Sequence, residues 1–319
     1  MKSKKILVTG GAGFIGSAIV ERLVKEGHKV SVLDNCQRGS LLRINHLKKK
    51  IKIFKGDIRN KKLVERSLKN IDTVIHLAYV NGTKFFYKKP GEIVDIAIRG
   101  MLNVIDGCKK NKVNDFILFS SSEAYADPKM VPTPEEVPLQ IPDIDNPRYS
   151  YGGGKIACEL MLKHMCSNFV RTITIRPHNV YGTYMGNSHV IPEFFQKIRK
   201  LKKIDKLTIQ GDGLQTRSFI HIEDFIDAFY LVFKKGKKNE VYHIGTNEEI
   251  KIIDLAKKIL NISNKKNLIK RGKITKGSPI RRQAKITKIT KLGFKKKINI
   301  NDGLKKIFYS YNRNDKNIH

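Results

Sequence analysis

The chain has 319 residues, 40% of them hydrophobic, enough apolar material for one large core or two modest ones. Lysine and arginine number 63 against 29 aspartates and glutamates, and the resulting formal charge of +34 would draw anionic ligands to the surface. No apolar run reaches the roughly 18 residues of a membrane span, and "MKSKKILVTGGAGFIG" turns to glycine too soon for a signal peptide, so a soluble cytoplasmic protein is expected.

In chain order, "KKILVTG" reads as a short buried strand, "FIGSAIVERLVKEG" as a helix ending at Gly27, and "KVSVLDN" as a second strand. "KIKIFKGD" is a third strand, "LVERSLKN" a helix, "TVIHLA" a fourth strand, "VDIAIRGMLNVIDGCKKN" a helix and "DFILFSSS" a fifth strand. Strands apolar on both faces, alternating with helices, imply a doubly wound parallel α/β sheet of the Rossmann kind. After "TITIRPHNVYG" the rhythm weakens. The expected division is a dinucleotide-binding domain over 1–177, rejoined by parts of 217–245, and a smaller substrate domain made mainly of 178–319.

The lysines are scattered in short groups such as "KKGKK" at 234–238, without the interleaved aromatics of a single-strand platform. Codon bias and a taste for phosphorylated substrates account for them better than nucleic acid as the primary ligand. Cys36, Cys108, Cys158 and Cys166 form neither a CxxC nor a zinc-like set with histidine, so reduced thiols and no metal are expected.

"GGAGFIG" puts Gly10, Gly13 and Gly16 at a strand-to-helix turn, where backbone must pass close to a pyrophosphate and the helix N-terminus supplies free N–H groups. Asp34 follows at the end of the next strand, placed to accept from an adenosine ribose and to repel a 2′-phosphate, which favours NAD over NADP. Asp57 in "KGDIRN" is either an adenine contact or an exposed turn aspartate. In "YSYGGGK", Tyr151 and Lys155 are four apart on one helix face, so the ammonium is expected beneath the phenol, lowering its pKa toward neutrality with help from a cationic nicotinamide. Such a tyrosinate removes a hydroxyl proton while hydride leaves the same carbon.

Together, GxxGxxG, the acidic residue after the second strand, a serine after the fifth and YxxxK resemble the extended short-chain dehydrogenase/reductases, in their NAD-dependent nucleotide-sugar epimerase/dehydratase branch. The resemblance covers nearly the whole chain. It implies that Phe14 and Ile15 in the glycine turn, Asn35, Ile58, and Leu77 and Ala78 in "HLAYV" join the cofactor contacts. It implies that Ser121 orients the sugar 4-OH, that Lys155 also holds the cofactor ribose, and that Asn179 in "RPHNVYG" contacts the substrate diphosphate. Arg217 in "GDGLQTRSFIHIEDF" becomes a diphosphate ligand, although Ser218 replaces the usual aspartate. Arg282, or its neighbour Arg281, in "GSPIRRQAKITK" joins it, although Ala284 and Lys285 replace the usual "PD". The implied partner is a nucleotide-diphosphate sugar, and the implied assembly is a homodimer through the helices at 92–110 and 152–168. His178 and His221 are read as structural, and Tyr125 and Tyr181 as walls of the site or packing aromatics.

"SSSEAY" leaves the reaction open. In the resembled family the two residues after the hydroxyl are small or neutral in simple 4-epimerases, whereas many 4,6-dehydratases and nucleotide-glucuronate decarboxylases carry the glutamate. Glu123 is therefore a candidate base for the C5 proton that a 4-ketone acidifies, or a glutamate pinned in a cap or salt bridge. Ser122 stands where dehydratases have the aspartate that protonates the departing hydroxyl, and is counted with the substrate contacts. The expected activity is oxidation of the sugar at C4, as a 4,6-dehydratase or 4-epimerase, with decarboxylase and simple 4-dehydrogenase behind them. A non-catalytic basic regulator would have kept the glycines without needing Ser121, Tyr151 and Lys155.

Overall fold

The computed structural model of the protein describes residues 2–186, 189–273 and 280–313. Seven strands form one parallel sheet: β1 (Lys5–Thr9), β2 (Lys29–Asp34), β3 (Ile51–Lys55), β4 (Thr73–His76), β5 (Asp115–Phe119), β6 (Arg171–Pro177) and an edge strand, Glu240–Ile244. Their spatial order is Glu240–Ile244, β6, β5, β4, β1, β2, β3, so the winding reverses between β1 and β4. In such sheets a crevice opens at the carboxyl ends of the strands on either side of the reversal. Five buried residues in a row in β5, and four in β4, are what helices on both faces demand.

Helix α1 (Phe14–Lys25) follows β1 through the glycine turn and buries Ile19, Val20 and Leu23 on the sheet. It stops where Gly27 adopts φ +83°, with Arg22 and Lys25 in its last turn facing the negative end of the dipole. On the other face a helical run covers Pro90–Asp95, a wide turn at Ile96–Gly100, and Met101–Lys110. Its glycines permit close approach: a Cβ at Gly100 would meet the Ile58 side chain, and one at Gly107 the Leu68 side chain. The helix Tyr149–Met161 lies beside this run and places Tyr151 and Lys155 over the ends of β4 and β5.

Beyond β6, helices Val190–Lys200 and Ile252–Ile262 form a separate apolar cluster with Tyr181, Phe194, Phe195, Leu255, Ile259, Leu304 and Ile307. A small sheet in this region sets the strand Thr216–Ser218 between Glu249–Lys251, antiparallel, and Arg281–Arg282, parallel. The pairing puts Arg282 directly beside Arg217. Two arginines far apart in the chain thus become neighbours. Among the described residues, no helix is long and apolar enough to cross a membrane, and no group of three or more His, Cys, Asp or Glu side chains is arranged to hold a metal.

Candidate active site

One cavity of about 720 Å³ fills the crevice, running from the glycine turn past β4 and β5 to Arg217 and Arg282. At its first end Gly10 has φ +73°, and a Cβ there would stand 2.8 Å from the Ala78 backbone nitrogen. A Cβ on Gly16 would overlap the Gly10 carbonyl. Glycine is required at both places for the turn to close, which brings Gly13, Phe14 and Ile15 at the N-terminus of α1 into the cavity wall.

Asp34 ends β2 at the cavity edge; its carboxylate accepts from the Ala12 N–H at 2.9 Å and the Cys36 N–H at 2.7 Å. Asn35 donates to Asp57 at 3.0 Å, and hydrogen bonding from Arg59 holds the Asp57 carboxyl below its ordinary range. Asp57, Ile58, Leu77 and Ala78 complete this end. A turn that a Cβ would close, a helix N-terminus and a carboxylate beyond it are the features that an adenine dinucleotide without a 2′-phosphate fits. The free protein is expected to bind NAD at least about ten-fold more tightly than NADP, a difference of about 1.4 kcal/mol, because a phosphate would face the Asp34 charge. Titration with both nucleotides checks this. Arg38 lines the same corner with its guanidinium 4.9 Å from the Phe85 ring centre, so Arg38→Ala should widen the preference.

At the centre, Ser121 follows β5. Its Oγ accepts from the Glu123 N–H at 3.1 Å, capping the short helix Ser122–Tyr125, and the residue lines the cavity together with Tyr151. Lys155 is one helical turn from Tyr151, but its ammonium donates to the Phe119 carbonyl at 2.7 Å and lies 4.1 Å from the centre of the Tyr79 ring, against 5.9 Å from that of Tyr151. Burial raises the Tyr151 pKa, and the polar Ser121 side chain offsets only part of that rise. In the free protein the phenol is therefore not already brought toward neutrality by Lys155. The spacing puts both residues on one face, but the lysine tip is held elsewhere, and the phenol lies in a buried site with the Glu123 charge acting against its ionisation.

Burial also pushes the Lys155 ammonium down to about 8. Since the charged lysine is the form that favours a tyrosinate, kcat/KM should fall on the alkaline side through an ionisation near pH 8. A flat profile to pH 10 would exclude that role.

At the far end, Glu123 is ion-paired to Arg282 and lies 3.4 Å from Arg148. Burial alone would raise its pKa, but the Arg282, Arg148 and Arg217 charges overcome it and hold the carboxyl at about 2. Arg217 donates to its own neighbour's carbonyl, Thr216, at 2.7 Å, and burial beside Arg282 lowers its guanidinium to about 10. Ser218 does not brace it: among the described residues that hydroxyl has no hydrogen-bond partner, and the Ser218 carbonyl instead accepts from Asn179 at 3.0 Å. Asn179, at φ +40°, lines the cavity, as do Ser122 and Arg282. Arg281 turns outward to Glu249 at 2.7 Å. Gly277, Ser278 and Pro279 of the same segment lie outside the described residues.

Tyr125 and Tyr181 do not wall the cavity. Both are 1% exposed. Tyr125 is hydrogen-bonded to Arg176 and, at 2.7 Å, to His243, while Tyr181 packs against Phe219 and His221. His178 meets His243 edge to face with ring centroids 4.6 Å apart, and His221 caps the helix Ile222–Lys235. Sequence reasoning missed Arg148, Phe86 and Tyr79 in the cavity wall. For Arg148 a signal existed, since it stands three residues before Tyr151, one turn back along the same helical path.

A family model described as the NAD dependent epimerase/dehydratase family matches residues 6–245. The dTDP-D-glucose 4,6-dehydratase of Dictyostelium discoideum is 33% identical over 276 residues, covering 82% of this chain and 62% of that relative. The dTDP-D-glucose 4,6-dehydratase of Homo sapiens is 30% identical over 327 residues, covering 98% of this chain and 91% of the relative. The solved UDP-glucose 4-epimerase of Thermotoga maritima, with UDP-glucose, superposes with a TM-score of 0.86 at 29% identity, covering 97% of this chain and 99% of that one.

Proposed function

The chain belongs to the NAD dependent epimerase/dehydratase family, and from that premise we propose that it oxidises a nucleotide-diphosphate sugar at C4 to a 4-keto intermediate and completes a 4-epimerisation. The observation that carries the first part is one cavity holding the glycine turn and Asp34 at one end, Ser121, Tyr151 and Lys155 at the centre, and two adjacent arginines at the other.

The glycine turn, Asp34 and Lys155 would hold NAD, which would supply a hydride acceptor for the hydrogen on C4. Ser121 orients the 4-hydroxyl, and Tyr151 takes its proton. The Lys155 ammonium favours the tyrosinate. Asn179, Arg217 and Arg282 hold the diphosphate, whose oxygens match the planar guanidinium forks. The substrate lies between the sheet domain, 1–177 rejoined by parts of 217–245, and the remainder of 178–319.

The choice of epimerisation rests on Glu123 and Ser122. A carboxylate held at about 2 by three arginines is a weak base for C5, and Ser122 has no acidic proton for a departing C6 hydroxyl. The second reading, 4,6-dehydration, is favoured by the Glu123 side chain facing the same cavity. Incubation of the purified protein with UDP-, dTDP-, CDP- and GDP-hexoses, followed by mass and NMR, separates the readings. An isomer of unchanged mass with altered ring couplings supports epimerisation, and loss of one water overturns it in favour of dehydration. Loss of carbon dioxide from a glucuronate would indicate decarboxylation.

We further infer a homodimer. The helical run 90–110 exposes Val94 and Leu102 at 42% and 36%, and the segment 149–166 exposes Leu160 and Met165 at 56% and 44%. Light scattering should return twice the 36.4 kDa chain mass; a monomer would dismiss it.

A further inference from the structure

Tyr79, three residues beyond the end of β4, lines the cavity between the two central side chains of the proposed reaction. Its ring meets that of Tyr151 edge to face, with centroids 5.1 Å apart at 85°. Phe86 stacks on Tyr151 at 5.0 Å and 25°, so the tyrosine is fixed by two aromatic neighbours. The Lys155 ammonium lies 4.1 Å from the Tyr79 ring centre, within the reach of a cation–π contact. The Tyr79 hydroxyl is buried with no hydrogen-bond partner among the described residues.

The helix accommodates this ring at one position. A Cβ at Gly154 would overlap the Tyr79 Oη and crowd the Ala97 methyl at 2.9 Å. Glycine between Tyr151 and Lys155 therefore leaves the space that the Tyr79 hydroxyl fills.

We propose that Tyr79 is a positioning residue for the Tyr151–Lys155 pair, its ring face holding the Lys155 ammonium in the site and its edge fixing the plane of the Tyr151 phenol. The catalytic consequence rests on the reading of Tyr151 as proton acceptor; the hold on Lys155 does not. Few other groups compete for this ammonium. The Phe119 carbonyl accepts from it, His76 on β4 is kept neutral by burial with its pKa near 3, burial raises Cys158 to about 11, and Glu159 is committed to Arg176. Glu123 acts on Tyr151 from the far side.

The test compares Tyr79→Phe, which keeps the ring, with Tyr79→Leu and Tyr79→Met, which remove it. The Lys155 ionisation is followed by NMR on lysine-labelled protein without cofactor, and the pH profile of kcat/KM is measured with it. A ring face stabilises the charged lysine, so the Leu and Met variants should titrate Lys155 roughly 0.5–1 pH unit lower than wild type, while the Phe variant should match wild type. The alkaline limb of kcat/KM should move down by the same interval. Gly154→Ala should also impair the site, and less so when Tyr79 is leucine. An unchanged Lys155 titration in folded Leu and Met variants would overturn the proposal. A shifted titration in a protein that still turns over as Tyr151→Phe would uphold the hold on Lys155 while sinking the catalytic reading of Tyr151.

Discussion

Tyr151→Phe is expected to lower turnover by about 10²–10⁴-fold while leaving NAD affinity within about two-fold of wild type. The substitution removes one atom. The ring stays packed between Phe86 and Tyr79, and Ser121 keeps its cap on the Glu123 N–H, so neither a cavity nor a broken helix start accompanies the change. What is lost is the hydroxyl proposed as the proton acceptor for a sugar 4-OH. Calorimetric titration of NAD and steady-state turnover of the nucleotide sugar check the two halves. Turnover near the wild-type rate would remove Tyr151 from its proposed role, whereas loss of NAD binding would make it a cofactor contact alone.

The sheet and the glycine turn were legible because their physics is local. A strand buried on both faces must read as a nearly unbroken apolar run, as "FILF" in β5 does, and a turn with φ +73° at residue 10 and the Cβ position of residue 16 filled by the Gly10 carbonyl must carry glycine at both. The arginine end was legible only in outline. Whether Arg281 or Arg282 faces the cavity depends on a two-residue strand pairing with Thr216–Ser218. Alternate side chains of a strand point to opposite faces, so Arg282 turns inward beside Arg217 and Arg281 turns outward to Glu249. Tyr125 resembled a cavity wall because it lies four residues beyond Ser121, but Arg176 on β6 and His243 on the edge strand claim its hydroxyl. Those partners are 51 and 118 residues away in the chain. Lys155 shows the same limit at shorter range: helical spacing names the face from which a side chain leaves, but not where four methylenes carry its charge.

Glu123→Gln separates the two reactions and should alter the free protein as well. The Arg282 side chain is 7% exposed and pairs with Glu123, so a neutral amide leaves a buried guanidinium without its counter-charge, at a cost of roughly 1–3 kcal/mol in stability. The cost depends on pH with a definite sign. The folded-state carboxyl titrates at about 2, against an ordinary 4.5, so its stabilisation is present above the ordinary value and is lost as pH falls toward 2. Denaturation of wild type and variant should therefore converge in acid. In binding the sign reverses. Once Glu123 no longer neutralises them, Arg282 and Arg217 should hold a nucleoside diphosphate about ten-fold more tightly, near 1.4 kcal/mol, by titration. In heavy water, an epimerase that never opens the C5–H bond yields product of unchanged mass with no deuterium at C5 in either protein, and the variant keeps a measurable share of turnover. If wild type instead places deuterium at C5 and the variant does not, Glu123 is the base for elimination, its arginine partners release it when the diphosphate arrives, and the 4,6-dehydratase reading replaces the epimerase.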